Sequence, residues 1–404
     1  MIKKFSALYN ANKLNRLSSD DRHGVQRQLD NQPPLISLYF IMICSLLIRV
    51  IYMEQANLMV EETYYWNYAQ HMDFSFLDHP PMVAVLIKLF TLIFGNHEFT
   101  VRIASLFCWF VTAFFSFKLT DLIHKGSGIY ALTLLAVLPF FFSQSIVITP
   151  DGPLIACWSA SLYYLYRCLV LNEKSYWYGV GIWLGLGMLS KYTISLLGIA
   201  TLSYVLIVPI ARSWFTKKEP YLAVLMTTIL FTPVIYWNAT HEWVSFIFQS
   251  NRRWSAVTSM DLHYVLALIL LFITPVGVWG FITLFKRKTT ARTGINNTTK
   301  RFMQIFTLIP LGFFSLFSLN HEINFNWIGP LFLALIPWLA ILMSYFCLNR
   351  SLWLKSGVGL LLVYLGVLLI INYNTSEAIQ RKFFVKVIAW SNLIKQFNDV
   401  AQHL

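Results

Sequence analysis

Charge is scarce in this 404-residue chain: Asp, Glu, Lys and Arg make up only 12% of it. A soluble domain carries roughly twice that share, so the shortage excludes an ordinary soluble protein and leaves an integral membrane protein. Acids are scarcer still, 18 against 31 basic residues, for a net charge of +13. Cysteine is also sparse. Cys44, Cys108, Cys157, Cys168 and Cys347 all fall in apolar segments and never at CxxC spacing, which argues against both a disulfide framework and a thiolate metal site. A phosphate-binding glycine loop, a Ser-His-Asp arrangement and a convincing internal repeat are missing too.

Apolar residues are abundant, at 57%, with 17% aromatic. Runs near the length of a bilayer crossing recur along the chain and predict an all-α polytopic membrane protein. Eleven spans are expected, at about 35–53, 99–121, 128–147, 152–171, 176–190, 194–210, 221–237, 263–285, 302–319, 328–347 and 353–372. The run MVAVLIKLFTLIF at 82–94 is short for a span and carries Lys88, so an interfacial or re-entrant helix is expected there. If it does not cross and 1–34 is cytoplasmic, about 19 of the 31 basic residues lie inside or at the inner edges. They include Lys217, Lys218 and the run KRKTTARTGINNTTKR. If it did cross, that run would face outward, against the positive-inside rule. The basicity therefore reports topology, and no nucleic-acid partner is expected.

The organisation expected is a cytoplasmic segment 1–34, a transmembrane domain 35–372 with a large first outer loop 54–98, and a short outer tail 373–404. No small-residue cleavage site follows the first apolar run, so that run is expected to be kept as a helix.

This threading gathers most of the unexplained polar residues on the outer face. The stretch VEETYYWNYAQHMDFSFLDHPPM (60–82) holds four acids, two histidines and four Tyr or Trp rings in 23 residues, with no Lys or Arg. Glu61 and Glu62 suit the first turn of an amphipathic helix as well as they suit chemistry. Asp78, ahead of His79-Pro80-Pro81, has an equally good reading as an N-cap. Asp151 sits in a Thr-Pro-Asp-Gly-Pro turn between spans. Lys191 interrupts a long apolar stretch and is cheapest where two short spans meet the surface, beside Tyr192. A second cluster runs from Trp237-Asn238 through His241 and Gln249 to Arg252-Arg253, and paired arginines suit a phosphate. Asn324-Phe325-Asn326-Trp327 adds a third.

Aromatic faces and carboxylates suit a sugar, cations suit a phosphate, and a helical bundle suits a lipid tail. A lipid-linked sugar phosphate has all three features. Its phosphate leaves without a general acid, but the developing charge needs a metal or fixed cations such as Lys191, Arg252 and Arg253. A hydroxyl acceptor needs a carboxylate base, which Glu61, Glu62 or Asp78 could supply.

EETYYWNYAQHMDFSFLDHPPM resembles the first outer loop of the family 39 membrane glycosyltransferases, the dolichyl-phosphate-mannose protein mannosyltransferase-like group. It is similar also to the lipid A aminoarabinose and bacterial galacturonosyl transferases. The resemblance runs on through Thr149-Pro150-Asp151-Gly152-Pro153-Leu154, Leu189-Ser190-Lys191-Tyr192-Thr193, Trp237 to Arg253, and Asn324 to Trp327, so it covers roughly 35–372. It implies a GT-C fold and a polyprenyl-phosphate sugar donor. It also implies inversion at the anomeric carbon and an active site on the outer face, in a bacterial inner membrane the periplasmic one. Glu61 takes the place where relatives usually carry Asp, and so becomes the expected catalytic acid, with Glu62 and Asp78 beside it. Tyr65, His79, Asp151, Lys191, Tyr192, Asn238, Arg252, Arg253 and Asn326 become the expected substrate-binding set. In the aminoarabinose branch an acid and a later loop histidine can hold a divalent metal, which implies Asp78 and His241 here. That branch has Glu-Lys-Pro-Pro where this chain has Asp78-His79-Pro80-Pro81, and many relatives continue into an outer soluble domain. A lipid, glycan or protein acceptor is expected. A transporter or flippase of a lipid-linked sugar is the alternative; it would show repeats and ionisable groups near the bilayer midplane.

Overall fold

The computed structural model describes residues 35–254, 262–319, 321, 323–324 and 326–372, and these form helices and connecting turns with no strand among them. The segments expected at 1–34 and 373–404 lie outside the described residues. In chain order the helices are α1 (Leu35–Gln55), α2 (Val60–Gln70), α3 (Met82–Phe94), α4 (Glu98–Ile123), α5 (Gly128–Val137), α6 (Pro139–Ser143), α7 (Asp151–Leu169) and α8 (Tyr176–Met188). They continue with α9 (Ser195–Ile207), α10 (Glu219–Thr240), α11 (Val244–Trp254), α12 (Leu262–Thr283), α13 (Arg287–Arg292), α14 (Asn297–Phe317), α15 (Ile336–Tyr345) and α16 (Cys347–Asn372).

Each of the eleven expected spans falls on a helix or a broken pair, but fewer are complete crossings. Among the described residues, five helices are long and apolar enough to cross a membrane: α1, α4, α10, α12 and α16. A sixth would need α9 and the 3₁₀ turn Pro209–Thr216 to count as one span, and these are bent by 114°. Proline explains much of the difference. Pro139, Pro209 and Pro337 each open a new helix, because proline has no N–H to continue the previous one and its fixed φ suits a first turn. Hydropathy sees one apolar run where the backbone has a break. Helix α3 covers 13 residues, about 20 Å, well short of the roughly 30 Å hydrocarbon core.

Helix α7 is the hub. Gly152, Ala156, Ser159, Ala160 and Ser161 are all buried along it, and such small side chains let neighbouring backbones approach closely. It packs on α4 on one side and α8 on the other, and α8 packs on α10. The α8–α10 contact requires glycine: a Cβ on Gly181 would lie 2.8 Å from the Ala223 carbonyl oxygen, and one on Gly185 2.6 Å from Leu230. Gly181 and Gly185 are four apart, so both face α10 on the same stripe.

These packings sort the connections into two ends. At one, Met82 N–H donates to the Leu189 carbonyl at 2.9 Å, joining the start of α3 to the end of α8. At the other, the Tyr166 and Thr299 hydroxyls are 2.9 Å apart, joining the end of α7 to the start of α14. Along α7 the two ends are about 22 Å apart, from fifteen residues at about 1.5 Å each.

Candidate active site

Glu62 and Arg102 fix the frame of the first end. Glu62 is the third residue of α2, where it accepts the Met59 N–H at 2.9 Å and closes the helix N-terminus. Arg102 donates to it from Nε at 2.9 Å and Nη2 at 2.7 Å, and the Ile148 N–H adds a bond at 3.2 Å. The remaining Arg102 donors reach the carbonyls of Met53, Ala56 and Asn57. Both side chains are fully buried. One ion pair thus ties α1, α2, α4 and the 146–148 segment together. Both Glu62 oxygens are engaged in this, although the sequence offered it as a catalytic partner of Glu61.

The second fixture is Asp151, in the first turn of α7, where an anion also favours the helix dipole. Lys191 Nζ lies 2.9 and 3.1 Å from its two oxygens, and the pair is almost wholly buried. Asn326 donates its amide N–H to the same carboxylate. Residues expected as three separate substrate contacts are therefore one unit assembled from distant parts of the chain.

Around it lies the face of α2 that carries the tyrosines. Tyr65 is buried, and its ring meets that of His79 at 5.9 Å. Burial first, then the negative charges of Asp78, Asp151 and Glu61, push its phenol well above the ordinary tyrosine range. Tyr68 donates to Asp78 Oδ1 at 2.6 Å and stacks on Phe76 at 3.8 Å. Its phenol is also raised, by burial and then by the bonds to Asp78 and Tyr64. Glu61 is exposed, and its carboxylate makes no hydrogen bond or ion pair among the described residues.

The loop after α10 closes over this face. Trp237 Nε1 donates to Asp73 at 2.7 Å, and Gln249 donates to the Asp78 carbonyl. Asn238 is fully buried and holds the corner: its amide donates to the Val234 carbonyl at 3.0 Å and accepts from Phe246 N–H at 3.3 Å. Glu242 and Trp243 both take left-handed φ at that corner, 56° and 59°. The Tyr192 and Ser245 hydroxyls lie 3.4 Å apart. Arg252 and Arg253 fall in the last turn of α11, and their side chains lie outside the described residues. His241 stacks on Trp237 at 4.2 Å with Nδ1 2.8 Å from the Trp237 carbonyl oxygen, while Asp78 is engaged with Tyr68. Among the described residues no three His, Cys, Asp or Glu side chains are grouped to hold a metal ion.

A cavity of about 410 Å³ opens beside the cluster, lined by Met72, Phe74, Pro81, Val85, Leu189 and Pro233, with Asp73 the one charged residue in its wall among the described residues. Sequence reasoning missed Arg102 and Tyr68. Arg102 was detectable as a cation one turn into a predicted span that carries no other charge until Lys118. Tyr68 was detectable as the residue three and four places after Tyr65 and Tyr64, hence on their face.

Residues 78–237 match the model of a family described as dolichyl-phosphate-mannose-protein mannosyltransferase. Among solved structures the chain is similar to ArnT from Cupriavidus metallidurans in the apo state, with 16% identity and a TM-score of 0.62 over 76% of this chain and 59% of that one. The same protein bound to undecaprenyl phosphate gives 16% identity and a TM-score of 0.63, covering 76% of this chain and 60% of that. This chain therefore spans about three-fifths of the length of those ArnT chains. No curated protein matches it. The fold is the GT-C type of helical bundle, in an integral membrane protein that resembles the family 39 glycosyltransferases.

Proposed function

We propose that this chain is a glycosyltransferase that moves a sugar from a polyprenyl-phosphate donor to a lipid, glycan or protein acceptor at the end of the bundle holding Asp151. The observation that carries it is the buried unit of Asp151, Lys191 and Asn326, at the same end of the bundle as the bond from Tyr68 to Asp78 and an apolar cavity. The family match and the undecaprenyl phosphate bound by ArnT support the donor class.

The chemistry follows from the charges. Glu61, exposed and uncommitted, takes the proton of the acceptor hydroxyl as its oxygen attacks the anomeric carbon. The glycosyl–phosphate bond breaks on the opposite face, so the configuration inverts. The phosphate departs as a stable anion, and fixed positive charge from Lys191, with Arg252 and Arg253 on α11, offsets its developing charge. Tyr64 and Tyr65 offer rings to the sugar, and the cavity takes the first isoprene units. Asp78, its carboxylate held by Tyr68, positions the sugar.

Mass spectrometry of lipid A, surface glycans and envelope proteins, with and without the gene, tests the activity. Loss of one glycoform is expected, and identical profiles would sink the reading. Glu61→Gln should lower transfer by on the order of 10²–10⁴ with unchanged thermal stability. A fully active variant would remove Glu61 from the reacting centre. The same reading sets the site on the outer, periplasmic face. Single cysteines at the exposed positions Gln70 and Lys288 should then label from opposite sides with an impermeant thiol reagent. Labelling of both from outside would overturn the threading.

A further inference from the structure

The opposite end of the bundle holds a second cavity that the proposed chemistry leaves unused. It measures about 520 Å³ and is lined by Arg287, Lys300, Arg301, Asn297 and Gln304, with Ala291 and Ile295. Three cations and two amides line it, and no acid does among the described residues. Its location is fixed by contacts on both sides. Tyr204 donates to the Thr298 carbonyl at 3.2 Å, and Arg301 Nη1 lies 3.5 Å from the Ile207 carbonyl oxygen, so the cavity adjoins the end of α9. There Leu206, Ile207 and Ile210 expose their side chains, and Phe285 does so just before α13. The basic cavity therefore borders exposed apolar side chains just past the end of α12, a helix long and apolar enough to cross a membrane.

We propose that this cavity is a binding site for a phosphate group. Guanidinium groups match phosphate oxygens bidentately, an ammonium adds a point charge, and the amides of Asn297 and Gln304 can donate to the remaining oxygens. Two sources share that chemistry. An anionic phospholipid would set its phosphate in the cavity and its acyl chains along Leu206, Ile207 and Ile210, as basic pockets between membrane helices do. A soluble phosphate compound would use the cavity alone.

Native mass spectrometry of the full chain, released from nanodiscs of mixed phosphatidylglycerol and phosphatidylcholine, tests the lipid source. Thermal unfolding in detergent with added inorganic phosphate or pyrophosphate tests the soluble source. The expected result is selective retention of phosphatidylglycerol, falling about fivefold for each cation replaced by Gln and on the order of 100-fold in the Arg287→Gln, Lys300→Gln, Arg301→Gln triple variant. Arg287→Lys with Arg301→Lys, which keeps the charge, should retain most of the binding and shows that the triple variant loses the site and not the fold. Stabilisation by free phosphate, abolished in the triple variant, would equally support the site and assign it to a soluble ligand. Equal retention of both lipids in wild type and variants, with no phosphate-dependent stabilisation, would overturn it.

Discussion

Two buried ion pairs stand at the same end of this bundle and differ in how completely they are used. The five N–H donors of Arg102 meet Glu62 twice and three backbone carbonyls, and Glu62 accepts from Arg102, Met59 and Ile148. Nothing in that set is left for a ligand. Asp151 accepts from Lys191 and Asn326, while Lys191, with three donors, contacts only the Asp151 carboxylate among the described residues. A saturated pair holds a frame, and an unsaturated one beside a cavity can still act on something that arrives. Glu61 and Glu62 repeat the lesson within two adjacent residues, one exposed and uncommitted, the other enclosed by α1, α4 and the 146–148 segment.

Breaking the saturated pair should have the largest effect. Glu62→Gln or Arg102→Met leaves an uncompensated buried charge or several orphaned carbonyls, at a cost of about 3–5 kcal/mol. Thermal unfolding in detergent should show the loss, with transfer failing only as the protein unfolds. The double variant Glu62→Gln, Arg102→Met should recover part of it, because neither charge then lacks a partner. Full wild-type stability in either single variant would remove the pair from the frame.

The unsaturated pair should respond the other way round. Asp151→Asn with Lys191→Met removes both charges together, and replacing a buried pair by neutral groups is often close to neutral for stability. If the proposed function holds, transfer should nevertheless fall about 100-fold or more, since that reading sets the Lys191 cation against the leaving phosphate. A double variant that is stable and active would make this pair structural too, and the difference between the two corners would disappear.

Part of the candidate site was legible in the sequence, and what was not has a common cause. Residue type and the clustering of polar residues in loops brought out Glu61, Asp78, Asp151, Lys191 and Asn326, and the bundle joins the last three directly. The pairing itself was not visible, since Lys191 and Asn326 are 40 and 175 positions from Asp151. Glu62 could not be told from Glu61, because burial depends on Arg102, which hydropathy had absorbed into a span. The fold class followed from composition, while the number of complete spans did not, since prolines such as Pro139 and Pro209 break runs that remain continuously apolar in the sequence. Asn238 was expected to bind substrate, yet its amide bonds the backbone of a corner where Glu242 and Trp243 adopt left-handed φ.

The smallest expected effect concerns Tyr68, which joins α2 to the turn before α3 through Asp78. Its phenol is held protonated by burial, by its bond to Asp78 and by its contact with Tyr64, so its folded pKa lies above the unfolded value of about 10. The sign is set by linkage: the folded state binds this proton more tightly than the unfolded one. The stabilisation is complete below about pH 10 and is lost as pH rises above that toward the folded value. In the difference between the ultraviolet titrations of wild type and Tyr68→Phe, the tyrosinate step should therefore be missing near pH 10 while the protein stays folded. Tyr68→Phe should also lower transfer only modestly, about tenfold or less, because it removes a group that orients Asp78 and leaves the carboxylate itself in place. A normal step near pH 10 would mean that the bond to Asp78 does not persist in solution. Asp78 would then be as uncommitted as Glu61, and it would become the second candidate for the acceptor base.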